Sequence, residues 1–234
     1  MDISQNLAYV KQEIEKTAGN AGRDPDEIKL VVVTKEKPAN VVKEVLEAGV
    51  KSIGESYLQE AVFKMELLSD FEIDWHMIGH IQTSKAYRVA ALFDYIHSVD
   101  RFEIADQLNQ AARDLNRILP ALLEFNLSGE KTKYGWQAKD EKDWESLADA
   151  LEPVMKMSNL KINGLMTMAP YYEDQEKARP IFSKLRNLRS FLGEKFENQH
   201  LSELSMGMSG DYHVAIEEGA TILRIGSAIV GPRN

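Results

Sequence analysis

Cysteine is missing from the 234-residue sequence, and its absence excludes disulfides, thiolate zinc sites and cysteine nucleophiles. Long apolar runs are missing too, and no stretch approaches the ~20 residues needed to cross a bilayer. The start, Met1-Asp2-Ile3-Ser4-Gln5-Asn6, lacks a basic segment followed by an apolar one, so no secretory signal is expected. A cytoplasmic address without a membrane partner follows as the default. Positive charge is in deficit, 28 Lys and Arg against 37 Asp and Glu, for a net charge of −9. An acidic chain repels the phosphate backbone, so nucleic acid is not an expected partner. Linkers, internal repeats and low-complexity segments are also absent, which predicts a single domain over 1–234.

What is present is an alternation of strand and helix patterns. Ile3, Leu7, Val10 and Ile14 fall at helical spacing and predict an amphipathic first helix. Strands are predicted at 29–34, 50–54, 73–78, 95–99, 120–127, 160–168, 201–206 and 221–225. Helical patterns follow them at 41–46, 57–68, 83–92, 103–115, 140–157, 174–194 and 211–218, with at most a short turn after the last strand. Asp100 and Glu103 resemble a capping box for the helix that follows them. Several strands are near-continuous apolar runs, as parallel strands covered on both faces are. The pattern predicts an α/β fold, a single (β/α)₈ TIM-type barrel with an extra N-terminal helix. An open doubly wound sheet is the alternative.

In a barrel, the C-terminal ends of the strands share one mouth, where chemistry resides. The first strand, Leu30-Val31-Val32-Val33-Thr34, delivers Lys35 there, and a lysine amine so placed can form a Schiff base with an aldehyde. The same rule brings Glu55, Ser56, His76, Asp100, Asn126, Thr167, the segment 205–209 and the segment 224–227 to the mouth. Two of these suit an anion: Ser205-Met206-Gly207-Met208-Ser209-Gly210-Asp211 and Ile225-Gly226-Ser227-Ala228-Ile229 are glycine-containing turns that run into helices. Arg224 lies inside an apolar strand and needs a partner, either a carboxylate in the barrel or a bound ligand. His76 and His80 are four apart, but on a strand and a loop, with no third ligand evident, so no metal is expected.

These residues carry a family resemblance. Thr34-Lys35-Glu36-Lys37-Pro38, Gly54-Glu55-Ser56-Tyr57-Leu58-Gln59-Glu60 and Trp75-His76-Met77-Ile78-Gly79-His80-Ile81-Gln82 are joined by Gly164-Leu165-Met166-Thr167-Met168, Leu204-Ser205-Met206-Gly207-Met208-Ser209 and Arg224-Ile225-Gly226-Ser227-Ala228-Ile229-Val230-Gly231. In this order and spacing, over 34–231, the chain resembles the pyridoxal-phosphate homeostasis protein family. The resemblance implies a barrel like the N-terminal domain of alanine racemase, with pyridoxal 5′-phosphate (PLP) held as a Schiff base on Lys35. It implies that Ser205, Ser209, Gly226 and Ser227 surround the phosphate and that Arg224 faces the pyridine nitrogen. Ser56 stands where the family usually has asparagine, and a hydroxyl has less donor and acceptor reach.

An arginine at the pyridine nitrogen keeps that nitrogen unprotonated, because two positive charges in contact are unfavourable. The ring is then a weaker electron sink. The sequence ends at Asn234, soon after the eighth strand, and so is not expected to hold a second domain that supplies a second base. The expected role is therefore PLP homeostasis, a carrier or buffer rather than an enzyme, with PLP-dependent apo-enzymes as transient recipients and a monomeric state. The alternative is a PLP-dependent racemase or lyase using Tyr57 or His76 as base. The segment 129–136 reads as a solvated loop, and Phe182, Phe191 and Phe196 read as packing outside the barrel.

Overall fold

The computed structural model describes residues 2–197 and 200–232. In chain order, α1 (Ile3–Asn20) precedes β1 (Lys29–Val33), α2 (Ala39–Glu47), β2 (Ser52–Glu55), α3 (Leu58–Leu67), β3 (Asp74–Met77) and α4 (Ala86–Leu92). Next come β4 (Tyr95–Val99), α5 (Phe102–Asp114), β5 (Leu119–Asn126), β6 (Trp136–Gln137), α6 (Trp144–Met155) and β7 (Leu160–Thr167). The chain continues through α7 (Arg179–Lys195), β8 (Glu203–Ser205), α8 (Tyr212–Glu217), β9 (Ile222–Ile225) and α9 (Ser227–Val230).

All strand pairs among the described residues are parallel. β1 pairs with both β2 and β9, and the β4–β5 pairing closes the ring β1-β2-β3-β4-β5-β7-β8-β9. This is the (β/α)₈ barrel, and closure rules out the open sheet. The first helix forms as its pattern requires. Asp2 caps it by accepting from the Gln5 N–H at 3.1 Å, and Ile3, Leu7, Val10, Ile14 and Ala18 are buried. That stripe packs against α8 and α9, beside the last barrel strand.

Four local expectations are corrected. Asp100 and Glu103 form no capping box: Arg101 is the N-cap of α5 and makes no side-chain cap bond, because the Asp100 carboxylate is taken by His80 and Arg101. The helices predicted from 83, 140 and 174 begin as 3-10 turns (Thr83–Lys85, Glu141–Asp143, Gln175–Ala178) before α4, α6 and α7. The seventh barrel strand shortens to Glu203–Ser205. The segment read as a solvated loop ends in β6, which pairs with the end of β5 and is pinned by Trp136 Nε1 donating to the Val99 carbonyl at 3.0 Å. Phe182 is fully buried, and Phe191 and Phe196 pack partly buried against the outer core.

Most apolar burial lies between the sheet and the helices. Inside the barrel, the apolar cluster is small: Val31, Tyr95, Leu122, Met166 and Ile222. The rest of the buried polar set includes His76, His97, Glu124, Ser205 and Arg224. A polar barrel interior must satisfy its hydrogen bonds internally, and how it does so shapes the site above it.

Candidate functional site

A cavity of about 370 Å³ opens at the C-terminal ends of the strands. Lys35, Ser56, Ser209, Arg224, Gly226 and Ser227 all line it, with Val33, Ile78 and Met168 as apolar wall. Met208, within the predicted segment 205–209, lines it too, as do Lys37, Tyr171 and Tyr172, which the sequence did not place at the mouth. Ser205 does not line it.

The turn that presents Lys35 is anchored from behind. Thr34 Oγ1 donates to Glu55 Oε1 at 2.6 Å, and the Glu36 N–H donates to Glu60 Oε1 at 2.7 Å. Glu36 adopts φ +62°, a left-handed conformation unusual for a residue with a Cβ and sustained only where surroundings hold it. What holds both neighbours is Lys64 on α3, almost fully buried. Its ammonium donates to the Thr34 carbonyl at 2.7 Å and to Glu55 and Glu60 at 2.6 Å each. Three donors find three acceptors, which is all a lysine can offer. Glu55, predicted at the mouth, is instead sealed beneath it. Burial pushes its carboxyl pKa up, with Lys64 and Thr34 pulling against that, and Glu55 Oε2 has no hydrogen-bond partner. Lys64 was legible in one respect: it shares the buried face of α3 with Leu58 and Ala61, where a lysine is out of place.

On the opposite wall, Gly207 makes the turn out of β8. It adopts φ +93°, and a Cβ there would meet the Ala215 Cβ at 2.6 Å, so only glycine fits. The turn lays Met208, Ser209 and Gly210 along the cavity. Ser209 Oγ accepts from the Ala228 N–H at 3.2 Å, which ties this turn to the one carrying Gly226 and Ser227. Asp211 faces the cavity, but its carboxylate accepts from the Met208 N–H at 2.6 Å, and burial raises its pKa.

Arg224 forms the floor between these walls. Its Nη1 donates to Ser205 Oγ and its Nη2 to the Thr167 carbonyl at 2.9 Å. Neither partner is a carboxylate; Glu124 and Asp211 act on it only through longer-range attraction, against a burial effect that lowers its pKa to about 10. It therefore stays charged at neutral pH. Glu124 in turn is raised to about 7, by burial first and Asp100 second, with Arg224 opposing. Below Arg224, Ser205 Oγ lies 2.9 Å from His97 Nδ1, and His97 Nε2 lies 2.9 Å from His76 Nδ1. Burial holds both imidazoles neutral, lowering His76 to about 3 and His97 well below its usual value. His76 is thus an interior residue that does not line the cavity. Tyr95 stacks on His76 at 5.4 Å between centroids and is bonded to Glu203.

The remaining mouth residues serve the loop over β3–β5. Asn126 Nδ2 donates to the Glu130 carbonyl at 2.8 Å and Lys133 Nζ to the Met168 carbonyl at 3.2 Å. Tyr134 stacks on His80 at 3.7 Å, while His80 Nδ1 lies 2.6 Å from Asp100. Tyr57 is half exposed and, like Tyr134, does not line the cavity. Among the described residues no group of three His, Cys, Asp or Glu could hold a metal, and no helix is long and apolar enough to cross a membrane.

A closed parallel barrel whose mouth gathers two lysines, one buried arginine and two serine-glycine turns defines a class of protein, and the relatives agree. The chain belongs to the family described as alanine racemase, N-terminal domain, which it matches over residues 6–234. Within that class it is similar to the pyridoxal phosphate homeostasis protein of Aquifex aeolicus (strain VF5), 40% identical over 233 residues spanning 100% of this chain and 99% of that one. The pyridoxal phosphate homeostasis protein of Escherichia coli (strain K12) is 36% identical over 237 residues, 100% and 97% of the two chains. The solved structure of PipY from Synechococcus elongatus PCC7942 with PLP bound superposes with a TM-score of 0.85 at 30% identity, covering 98% of this chain and 100% of PipY. Alanine racemase from Clostridium difficile 630 shares the fold at a TM-score of 0.71 and 15% identity, with 97% of this chain covering 56% of that enzyme.

Proposed function

We propose that this chain binds PLP at the cavity, with Lys35 as the attachment point, and that it serves PLP homeostasis as a carrier or buffer. The observation that carries this reading is the donor set: an amine, a guanidinium and two hydroxyl-bearing turns line one cavity. They match, group for group, an aldehyde, a ring nitrogen and a phosphate. In this reading Ser209, Gly226 and Ser227 receive the phosphate, Arg224 faces the pyridine nitrogen, and Ser56 borders the ring. When bound, PLP supplies an aldehyde that joins an amine reversibly. The Lys35 amine supplies the nucleophile, held in place by the Thr34 and Glu36 anchors. Arg224 donates to the ring nitrogen and keeps a proton off it.

Ser205 takes a different role from the one its sequence suggests. It supports Arg224 from below rather than meeting the phosphate. The carrier reading is favoured over racemase or lyase chemistry by the position of the two candidate bases. His76 is bonded to His97 inside the barrel, and Tyr57 lies outside the cavity lining. The names of the relatives support the same role. The reading extends to a single PLP-binding domain, cytoplasmic and monomeric, with PLP-dependent apo-enzymes as recipients.

The experiment is an absorbance titration with PLP, followed by borohydride fixation and peptide mapping. A visible band and a pyridoxyl adduct confined to Lys35, both absent from Lys35→Ala, are expected. Adducts scattered over surface lysines, or no band, would overturn the site. Washing of solvent deuterium into the α-carbon of amino acids would overturn the carrier role.

A further inference from the structure

We propose that His97 is a positioning residue for Arg224: through Ser205 it fixes the guanidinium in the orientation that makes the cavity select a ring nitrogen able to accept a hydrogen bond. The proposal rests on the PLP reading for the identity of the ligand, but its core is the direction of a buried chain of hydrogen bonds.

That direction follows from counting donors. A guanidinium can only donate, so Ser205 Oγ accepts from Arg224 Nη1. Among the described residues, the one other partner of Ser205 Oγ is His97 Nδ1, at 2.9 Å. Ser205 is fully buried, and a buried hydroxyl seeks an acceptor for its proton. That acceptor is His97 Nδ1. His97 must then be neutral and carry its own proton on Nε2, which donates to His76 Nδ1 at 2.9 Å. The chain runs one way, Arg224 to Ser205 to His97 to His76.

The consequence for Arg224 is geometric. One guanidinium nitrogen is held by Ser205 on β8 and the other by the carbonyl of Thr167 at the end of β7. Two in-plane anchors on neighbouring strands fix the plane of a planar group. The N–H groups that remain are donors only, so the ligand atom they meet has to accept. His97 is itself held by ring contacts, edge-on to His76 at 5.1 Å and to Tyr95 at 5.3 Å between centroids. Two buried imidazoles in a barrel where apolar side chains would fill the same space are hard to explain as packing. They are explained as a rigid acceptor for the Ser205 hydroxyl.

Two measurements test this. In the protein without PLP, long-range ¹H–¹⁵N correlation spectra are expected to show His97 neutral with its proton on Nε2; a proton on Nδ1, or a doubly protonated ring at neutral pH, would overturn the proposal. In PLP titrations, His97→Phe keeps a ring but removes the acceptor. It is expected to bind about tenfold more weakly, because a guanidinium no longer held in orientation loses its charge-assisted bond to the ligand, and to shift the pH dependence of the visible band. His97→Asn, which restores an acceptor near Nδ1, is expected to recover binding to within about threefold. Binding by His97→Phe within about twofold of the parent would overturn the proposal. Should His97→Phe fail to fold, Ser205→Ala cuts the same link by one atom and is expected to show the same loss, and no loss there is equally fatal. If the parent chain shows no PLP band, the PLP reading falls, while the tautomer of His97 still decides the positioning role.

Discussion

Two buried polar networks flank the cavity, and they are built on opposite principles. Behind Lys35, Lys64 is paired with Glu55 and Glu60 in a cluster of full charges. Beneath Arg224, one charge rests on a hydroxyl and two neutral rings. Buried charges repay their desolvation only when every partner is in place, whereas neutral hydrogen-bonded groups tolerate less favourable surroundings. The difference shows how one mouth holds two cations in unlike ways. The Lys35 turn, with its left-handed Glu36, is clamped by strong pairs that are costly to disturb. Arg224 is aimed by a relay that keeps further charge away from it.

The comparison can be broken hardest at Lys64. Lys64→Met leaves Glu55 without its cation, and loss of one partner of a buried pair costs about 3–5 kcal/mol. Urea unfolding is expected to show a loss of that size, and a loss below about 1 kcal/mol would mean that the cluster is not a clamp.

A second test uses pH, because the relay and Glu124 titrate in opposite senses. Glu124 rises from 4.5 to about 7 in the folded state, so its contribution is present below pH 4.5 and is lost as pH rises through 7. His76 falls from 6.5 to about 3. Its contribution is present above pH 6.5 and is lost as pH falls towards 3, because the unfolded chain then takes a proton that the native state refuses. Glu124→Gln removes the first effect alone. Its stability is expected to climb more steeply than the parent's between pH 4.5 and 6.5. Above pH 7 it is expected to gain up to ~3 kcal/mol over the parent, referred to acid, at about 1.4 kcal/mol per pH unit. Parallel curves would place the titration elsewhere.

The smallest effect is expected at the rim of the charged cluster. Glu60 is partly exposed, with a side chain 25% accessible. Glu60→Gln keeps an acceptor for the Glu36 N–H, so its cost is expected to stay near 1 kcal/mol or below, the range of solvent-screened pairs. A cost equal to that of Lys64→Met would make the two carboxylates equivalent and blur the contrast.

The barrel itself was legible because period and length carry it. Apolar runs in β1 and β5 read as strands covered on both faces, and the stripe on α1 is unambiguous. Lys35, Arg224 and the two serine-glycine turns were legible because the mouth rule acts on strand ends. Pairings between side chains far apart in sequence were not. Asp100 has local capping chemistry, but its carboxylate is taken by its neighbour Arg101 and by His80 from the loop after β3. Lys64 falls on the apolar face of α3 with Leu58 and Ala61, but nothing local points to its partner Glu55 on β2. Ser205 belongs to a glycine-containing segment, yet it ends β8 and is bonded to His97 and Arg224 inside the barrel rather than lining the cavity.

Lys37 Nζ donates to the Pro232 carbonyl at 2.6 Å, and Val230 and Gly231 line the cavity. For bench work this matters in an ordinary way: an affinity handle or fluorescent fusion added after the last residue would follow closely on a segment that lines the cavity. A polyhistidine handle there would add imidazoles beside a cavity-lining segment, and titrations on such material could report on the handle as well as the protein. Preparations destined for ligand measurements should therefore have that end cleaved clean.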